Sequence, residues 1–221
     1  MNLIGKITNV LNMCDLTMDK IDVINQFTFN FLEYTCKSST YRDRYYHSMR
    51  VLSIAKRIAE IENANMEIVE ISAMLHDIGR HVNRHSHNEV GARIASELLS
   101  LLEYDGLTIS KVSECILNHS GCDLNKRMSL ESKIVMDADN IDGVGLMTIM
   151  GEAIKNDRYD RDAYFKVYEN VLARYKTLVS EKQEIRTKTG RVMYTKKLNE
   201  LDQYIKTMCC ELEYNTNLLI V

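Results

Sequence analysis

Residues 74–92 read MLHDIGRHVNRHSHNEVGA, and the rest of the chain is organised around this stretch. It contains four of the six histidines, and an aspartate directly follows the first of them. Imidazole nitrogens and carboxylate oxygens are common ligands of transition metals. We therefore expect the first pair, His76 and Asp77, to bind a metal ion. The other histidines of the stretch are His81, His85 and His87.

The composition predicts an all-α globular protein. The chain has 221 residues, of which 45% are hydrophobic and 27% charged, so it can bury one sizeable core. It contains no proline, where average usage would give roughly eleven, and only nine glycines. Helices can therefore run with few interruptions, and we find no long alternating pattern that would indicate strands.

The charge and the cysteines exclude several classes of protein. A net charge of −3 argues against a general surface for nucleic acid. The six cysteines form no C-x-x-C pair, and in a chain of this length they are expected to be reduced thiols. No apolar run is long enough to span a membrane, and polar residues interrupt the N-terminal segment, so we expect a soluble, cytoplasmic protein without a signal peptide.

Apolar residues at helical spacing predict a helix in several segments. In one of them the apolar stripe Val51, Ile54, Ile58 and Ile61, extended backward by one turn, reaches His47, which should therefore face inward. The pair Ser86 and Glu89 has the spacing of a capping box at a helix start. The predicted segments are 16–35, a helix starting after Thr40, 66–78 with Gly79 as its stop, 86–103, 108–119 and a helix starting near Ser129.

The C-terminal part has a different character from the rest. Two long amphipathic segments, 160–186 and 191–214, flank Thr189-Gly190 and predict an antiparallel helical hairpin. We therefore expect a helical domain over 1–154, with its own N-terminal helix, and an extension over 155–221. The hairpin is expected to pack on the domain or on a second copy of the chain, which would make a homodimer.

His76 and Asp77 need partners from elsewhere in the chain. Consecutive helical residues project about 100° apart, so both can approach one ion only if other helices complete its ligands. His47 from the preceding long helix and Asp139 from a later one are the candidates. Two imidazoles and two carboxylates suit a divalent Mn, Fe, Co, Ni or Zn ion better than Ca.

The ordered set His47, His76-Asp77 and Asp139 resembles that of the HD superfamily of metal-dependent phosphohydrolases. Four further blocks occur in the order and at the approximate spacing of stand-alone bacterial HD proteins that act on nucleotides: LHDIGR, HNEVGA, ILNHS and KIVMDADNID. The segment TKTGR at 187–191 is similar to the C-terminal extension of one such group. The resemblance covers roughly residues 40–212 and implies a compact bundle of helices.

The resemblance also implies roles for single residues. It makes His47, His76, Asp77 and Asp139 the ligands of one ion. In relatives with two ions, later histidines are added, and here His87 and His119 match them best, although His85 competes with His87. Asp139 is preferred to Asp137 because it stands in the A-D-x-[LI] setting of the family's last ligand.

Each of these residues also has an ordinary structural explanation. A single inward histidine such as His47 is more often a hydrogen-bonded core residue than a ligand. His76 and Asp77 alone could be an ion pair at a helix end. Asp137 and Asp142 are expected to support ligands or cap a helix, and His81 is expected to be solvated.

The function that the resemblance implies is hydrolysis of a phosphoester by a metal-activated water, with one or two ions and with Asp77 as the bridge between two. Arg50 and Arg80 are placed to offset charge on the phosphate, whereas four other basic residues are expected to lie on solvated faces.

The expected substrate is a nucleotide: a triphosphate, a monophosphate or a dinucleotide polyphosphate. The alternatives are a di-iron oxygenase and a regulatory module that binds a nucleotide without turnover. The four basic residues expected to lie on solvated faces are Arg84, Lys126, Arg127 and Lys133.

Overall fold

The computed structural model describes residues 2–36, 41–120, 127–155 and 162–218. In that part of the chain all regular structure is helical, which confirms the predicted all-α class. The chain divides into two compact units, Met1–Asp139 and Asn140–Val221. This division lies earlier in the chain than the boundary expected between 154 and 155, which stays a prediction.

Within the described ranges, seven helices begin in the first unit and three more follow in the second. Those of the first unit are α1 (Leu3–Leu11), α2 (Lys20–Thr35), α3 (Tyr41–Glu62), α4 (Met66–Leu75), α5 (His87–Leu101), α6 (Gly106–Asn118) and α7 (Leu130–Asp142), whose last residues belong to the second unit. Those of the second unit are α8 (Leu146–Lys155), α9 (Ala163–Glu181) and α10 (Lys188–Leu218), with a short 3₁₀ turn at Lys182–Glu184.

The α4 helix is the centre of the first unit. It starts at the cap of Asn65, whose side chain accepts a hydrogen bond from the Ile68 N–H. From Ile68 onward all of its residues except Glu70 are buried, which is typical of a helix packed on most of its surface. It contacts α2, α3 and α6. The histidine and aspartate that follow it are therefore carried into the interior.

The end of α4 differs from the prediction. A helix was expected to continue to residue 78, but α4 ends at Leu75 and tight turns follow. The Ala73 carbonyl, which would accept the Asp77 N–H in a continued helix, lies 2.8 Å from Nδ1 of the His76 ring. The Arg80 N–H then bonds to the Asp77 carbonyl in a shorter turn. The side chain of His76 thus takes part in ending the helix that carries it.

The segment after α4 lies directly against the start of α5. A Cβ added at Gly79 would stand 2.3 Å from the His87 carbonyl oxygen and 2.6 Å from the Gly91 nitrogen. Only a residue without a side chain allows the two backbones to come this close. The contact brings His87 next to the turn that contains Asp77.

The predicted helix start at Ser86 is correct, but the capping box is not formed. α5 begins at His87 with Ser86 in the cap position, and the Ser86 side chain makes no capping hydrogen bond. The Asn83 side chain instead accepts hydrogen bonds from the backbone N–H groups of His85 and Ser86. An Asx turn upstream therefore replaces the expected cap.

The second unit contains a pair of long helices where the hairpin was predicted, but the connection lies before residue 188, and Thr189 and Gly190 belong to the first turn of α10. The buried Tyr194 of α10 donates from its hydroxyl to the Leu178 carbonyl of α9, 2.8 Å away. Val167 near the start of α9 and Met208 near the end of α10 line one small cavity, so the two helices run antiparallel. The α8 helix was missed, because glycines at 143, 145 and 151 suggested a break. What the hairpin packs against stays a prediction.

No helix in the described ranges combines the length and the apolar character that a membrane span requires.

We expect Gly79→Ala to destabilise the protein by about 1–3 kcal/mol, because the new methyl group meets rigid backbone and not a movable side chain. For a chain of this size each kcal/mol lowers Tm by about 2–4 °C. Gly106→Ala is the matched control, since an added Cβ there has no described atom within 4 Å. Equal Tm values for the two variants, measured by circular dichroism, would contradict the proposed backbone contact.

Candidate metal centre

The centre of the site is the pair His76 and Asp77 at the end of α4. His76 is fully buried and Asp77 is 3% exposed. One turn earlier the small residues Ser72 and Ala73 are also buried, and they leave space beside the larger side chains. An acid and an imidazole in the interior of a protein need charged or hydrogen-bonded partners.

Those partners come from α3 and α7. Nε2 of His47, on α3, lies 3.2 Å from Nε2 of His76 and 4.0 Å from Oδ2 of Asp77. Asp139, on α7, places Oδ1 3.2 Å from Nε2 of His47 and 3.8 Å from Nε2 of His76. The four residues expected to share one ion are thus brought together. We call them the first group.

A second group forms on the other oxygen of the same carboxylate. His87 is the first residue of α5, and its Nε2 lies 3.8 Å from Oδ1 of Asp77. His119 directly follows α6, and its Nε2 lies 3.7 Å from that oxygen. In this group, as among His47, His76 and Asp77, the potential ligand atoms lie within 4.8 Å of one another. Asp77 is the member that both groups share.

Three of the imidazoles are oriented in the same way. In each, Nδ1 lies within hydrogen-bond distance of the backbone carbonyl three residues earlier, and a carbonyl can only accept. Nδ1 therefore carries the proton, and Nε2 keeps a lone pair that faces the cluster. This arrangement is typical of histidines that bind metals. The pairs are His76 with Ala73 at 2.8 Å, His87 with Arg84 at 3.1 Å and His119 with Ile116 at 2.7 Å.

The donor set fits a divalent transition metal. Lone pairs of imidazole nitrogens face one another and face carboxylate oxygens, an arrangement that is repulsive unless a cation or a proton lies between them. The nitrogen and oxygen mixture suits Mn, Fe, Co, Ni or Zn. The division into two groups offers room for one or two ions, with Asp77 next to both.

The electrostatics of the cluster favour a positive charge at its centre. Burial alone would raise the pKa of Asp77, but the interactions with His119, His76 and Arg80 outweigh it and hold that pKa far below its ordinary value. Burial would lower the pKa of His119, yet the nearby carboxylates of Asp77 and Asp139 raise it. The pKa of the fully buried His76 is lowered, chiefly by desolvation, so its neutral form is favoured.

Two arginines contact the shared carboxylate. Nη1 of Arg80 lies 3.3 Å from Oδ1 of Asp77, as expected for a residue beside the site. Nη1 of Arg44 lies 3.1 Å from Oδ2 of Asp77, and this contact was not predicted. Arg44 stands three residues before His47 on α3, so helical spacing places the two on the same face. That spacing could have identified Arg44 from the sequence.

His85 and His87, the two alternatives for a ligand of the second ion, lie in different environments. His85 is exposed, whereas His87 lies in the second group. His81 was expected to be solvated, but it is half-buried, and its Nε2 is inaccessible and without a hydrogen-bond partner among the described residues. Desolvation and the charge of Arg44 lower the pKa of His81. The expectation for His81 was wrong because the turns after α4 fold it back towards the arginines.

The structure gives the exposure of the remaining candidate residues, and their roles stay predictions. Arg50 is half-buried on α3, and its role as a phosphate ligand stays a prediction. Asp137 and Asp142 are buried, in keeping with a supporting role. Of the other basic residues, Arg84 and Arg127 are exposed, Lys133 is half-buried, and Lys126 lies outside the described residues.

Known proteins resemble this chain in both sequence and fold. Residues 44–143 match the family model of the HD domain. A deoxyguanosinetriphosphate triphosphohydrolase-like protein of Neorickettsia sennetsu is 30% identical over 141 residues, which cover 48% of this chain and 37% of that protein. A protein of the same description from Clostridium tetani is 31% identical over 118 residues, 46% of this chain and 34% of that one. The alignments thus span little more than a third of these relatives.

Solved structures match over most of the chain. An HD-superfamily hydrolase from Bacillus thuringiensis is 25% identical, with a TM-score of 0.66, over 88% of this chain and 97% of that one. Bacillus subtilis YpgQ, in its complex with ADP, is 23% identical with a TM-score of 0.62, over 85% and 92% of the two chains. The second likeness shows the fold alone.

We expect Asp77→Asn to weaken Mn²⁺ binding more than His47→Ala or His87→Ala does, because both groups use the Asp77 carboxylate and each histidine serves only one. The amide keeps the shape of the side chain and removes its charge. Isothermal titration with Mn²⁺ and elemental analysis of the dialysed protein measure the effect. The shared position of Asp77 is refuted if the Asn variant binds Mn²⁺ as the wild type does.

Proposed function

Because residues 44–143 match the family model of the HD domain, we propose that the chain is a metal-dependent phosphohydrolase that acts on a phosphorylated nucleotide. The observation that carries the proposal is the convergence of two histidine groups on the Asp77 carboxylate. Three of these histidines have Nδ1 bonded to the backbone, which leaves the lone pair of Nε2 facing the cluster.

We assign the first group as the residues that would hold one ion, and the second group, Asp77, His87 and His119, as those that would hold another. When bound, such ions polarise a phosphoryl oxygen and lower the pKa of a coordinated water towards neutrality. The chain contributes the orientation of the ligands and a buried carboxylate whose pKa the neighbouring His119, His76 and Arg80 hold well below its ordinary value. Asp77 is therefore the residue on which activity depends most.

Arg44 and Arg80 are the chain's candidates for binding the phosphate. Their side chains are 36% and 32% exposed, whereas Asp77, which both contact, is 4% exposed, so the two cations lie on the outer side of the site. A guanidinium has five N–H donors, and it can keep its bond to Asp77 while it donates to phosphate oxygens. Charge that develops on the phosphoryl group would be offset there. Arg50 remains a third candidate.

A nucleotide is the substrate class that the relatives support. The curated relatives from N. sennetsu and C. tetani carry the description deoxyguanosinetriphosphate triphosphohydrolase-like. YpgQ, which shares the fold, has been crystallised with ADP. The two arginines beside the carboxylate suit a polyanionic phosphate chain, and we propose that they hold it with the reacting phosphorus towards the histidines.

The experiment that tests the proposal is a panel of phosphorylated nucleotides assayed with Mn²⁺, Co²⁺, Ni²⁺, Fe²⁺, Zn²⁺ and Mg²⁺. We expect release of phosphate or pyrophosphate with at least one metal, and loss of that release in Asp77→Ala with the helical circular dichroism retained. Full activity of Asp77→Ala would refute the site. Binding of a nucleotide without turnover under every metal would favour a regulatory module, and oxygen consumption by an iron-loaded protein would favour an oxygenase.

We expect Arg44→Ala to lower kcat/KM by about 100-fold, the usual cost of removing one donor that stabilises developing charge. Arg57→Ala is the matched control, because Arg57 lies on the same helix and is exposed. Mn²⁺ binding should change little in either variant, since neither residue is a ligand. Equal kcat/KM values for the two variants would remove Arg44 from the site.

A further inference from the structure

The residues that follow His87 and His119 are bonded to each other. Asn88 stands next to His87 at the start of α5, and Ser120 stands next to His119 after the end of α6. Nδ2 of Asn88 donates to the Leu117 carbonyl at 3.3 Å and to the Ser120 carbonyl at 3.2 Å. Oδ1 of Asn88 accepts from the Ser120 hydroxyl at 3.3 Å. One amide thus joins the two ends that carry the second group.

These bonds satisfy backbone carbonyls at the C-terminal end of α6. The last carbonyls of a helix have no partner within the helix and must find one elsewhere. The Ile116 carbonyl accepts a hydrogen bond from Nδ1 of His119, and the Leu117 carbonyl accepts one from the side-chain amide of Asn88. The end of α6 is therefore capped partly by a ligand of the second group and partly by the neighbour of its other ligand.

The bonds also bear on the direction of the two rings. The ring centroids of His87 and His119 are 5.3 Å apart, and the Ser120 hydroxyl lies 3.4 Å from Nε2 of His87. Both Nε2 atoms point towards the same oxygen of Asp77, at 3.8 and 3.7 Å. A shift of α5 against the end of α6 would separate these atoms, and the Asn88 amide is placed to resist it.

We propose that Asn88 is a positioning residue for the second ion: by tying the end of α6 to the start of α5, it holds His87 and His119 together at Asp77. The inference rests on the proposed function and deepens it, because it assigns a separate support to one of the two groups. The first group, drawn from α3, α4 and α7, has no bond to Asn88 among the described residues.

A second bond between the same helices provides a matched control. The Ser96 hydroxyl of α5 lies 2.8 Å from the Ser113 hydroxyl of α6, about two turns along α5 from Asn88. If Asn88 merely strengthens the packing of α5 on α6, Ser96→Ala should have the same effect as Asn88→Ala. If Asn88 positions the histidines, only its own substitution should affect metal binding.

The experiment is a titration of the full-length, metal-free chain with Mn²⁺, followed by calorimetry and electron paramagnetic resonance. For the wild type and Ser96→Ala we expect two ions, with the exchange-coupled spectrum of neighbouring Mn²⁺ ions. For Asn88→Ala we expect the first ion to bind unchanged and the second to bind about 10–100-fold more weakly, the usual cost of losing a group that orients a ligand. Its spectrum at equal loading should be that of isolated Mn²⁺.

The outcomes separate this inference from the proposed function. Binding of the first ion by Asn88→Ala shows that the variant is folded. If that variant does not fold, Ser120→Ala, which removes only the hydroxyl, is expected to weaken the second ion in the same direction. Two ions of unchanged affinity in Asn88→Ala, equal weakening in Ser96→Ala, or a single ion in the wild type would each overturn the inference and leave the hydrolase proposal standing. A wild type that binds no Mn²⁺ would overturn both.

Discussion

The burial of one charged carboxylate is the constraint on which the structure of the first unit depends. Asp77 is almost inaccessible, yet the imidazoles of His119 and His76 and the guanidinium of Arg80 hold its pKa well below the ordinary value. An isolated carboxylate in such a place would be strongly destabilising. The groups around it come from α3, the turns after α4, the start of α5 and the end of α6, so the helices must assemble in one arrangement for the charge to be tolerated. The same arrangement of helices therefore both stabilises the buried carboxylate and assembles the site.

The close approach of backbones completes this arrangement. Gly79 permits the turn after α4 to touch the start of α5, and this contact delivers His87 to the carboxylate. The amide of Asn88 then joins α5 to the end of α6, where His119 stands. Small and polar residues next to the histidines thus decide where the imidazoles lie, while the apolar core decides only that the helices pack.

Much of this could be predicted from the sequence, because helical periodicity and the order of the histidine and aspartate motifs are properties of the chain itself. The helices, the convergence of His47 with His76-Asp77, and the hairpin were all expected. Other features were not, and three of them show why. The Arg44 contact was overlooked, although the spacing of Arg44 from His47 on α3 indicates it. The α8 helix was hidden by glycines that it tolerates, and the capping box failed because the Asn83 side chain accepts from the Ser86 N–H that Glu89 was expected to bond. Such competition is decided in three dimensions.

The bonds from Nδ1 to the carbonyl three residues earlier have a consequence for how such a site can change over time. The acceptor is main chain, so no substitution can delete it, and the ring direction is set within a single turn of polypeptide. Outer residues that do not join one helix end to another can then vary without turning the imidazoles away. A displacement of the backbone at a helix end, such as an inserted or deleted residue, is what would disturb them. Substitutions of such outer side chains are therefore tolerated here far better than insertions or deletions.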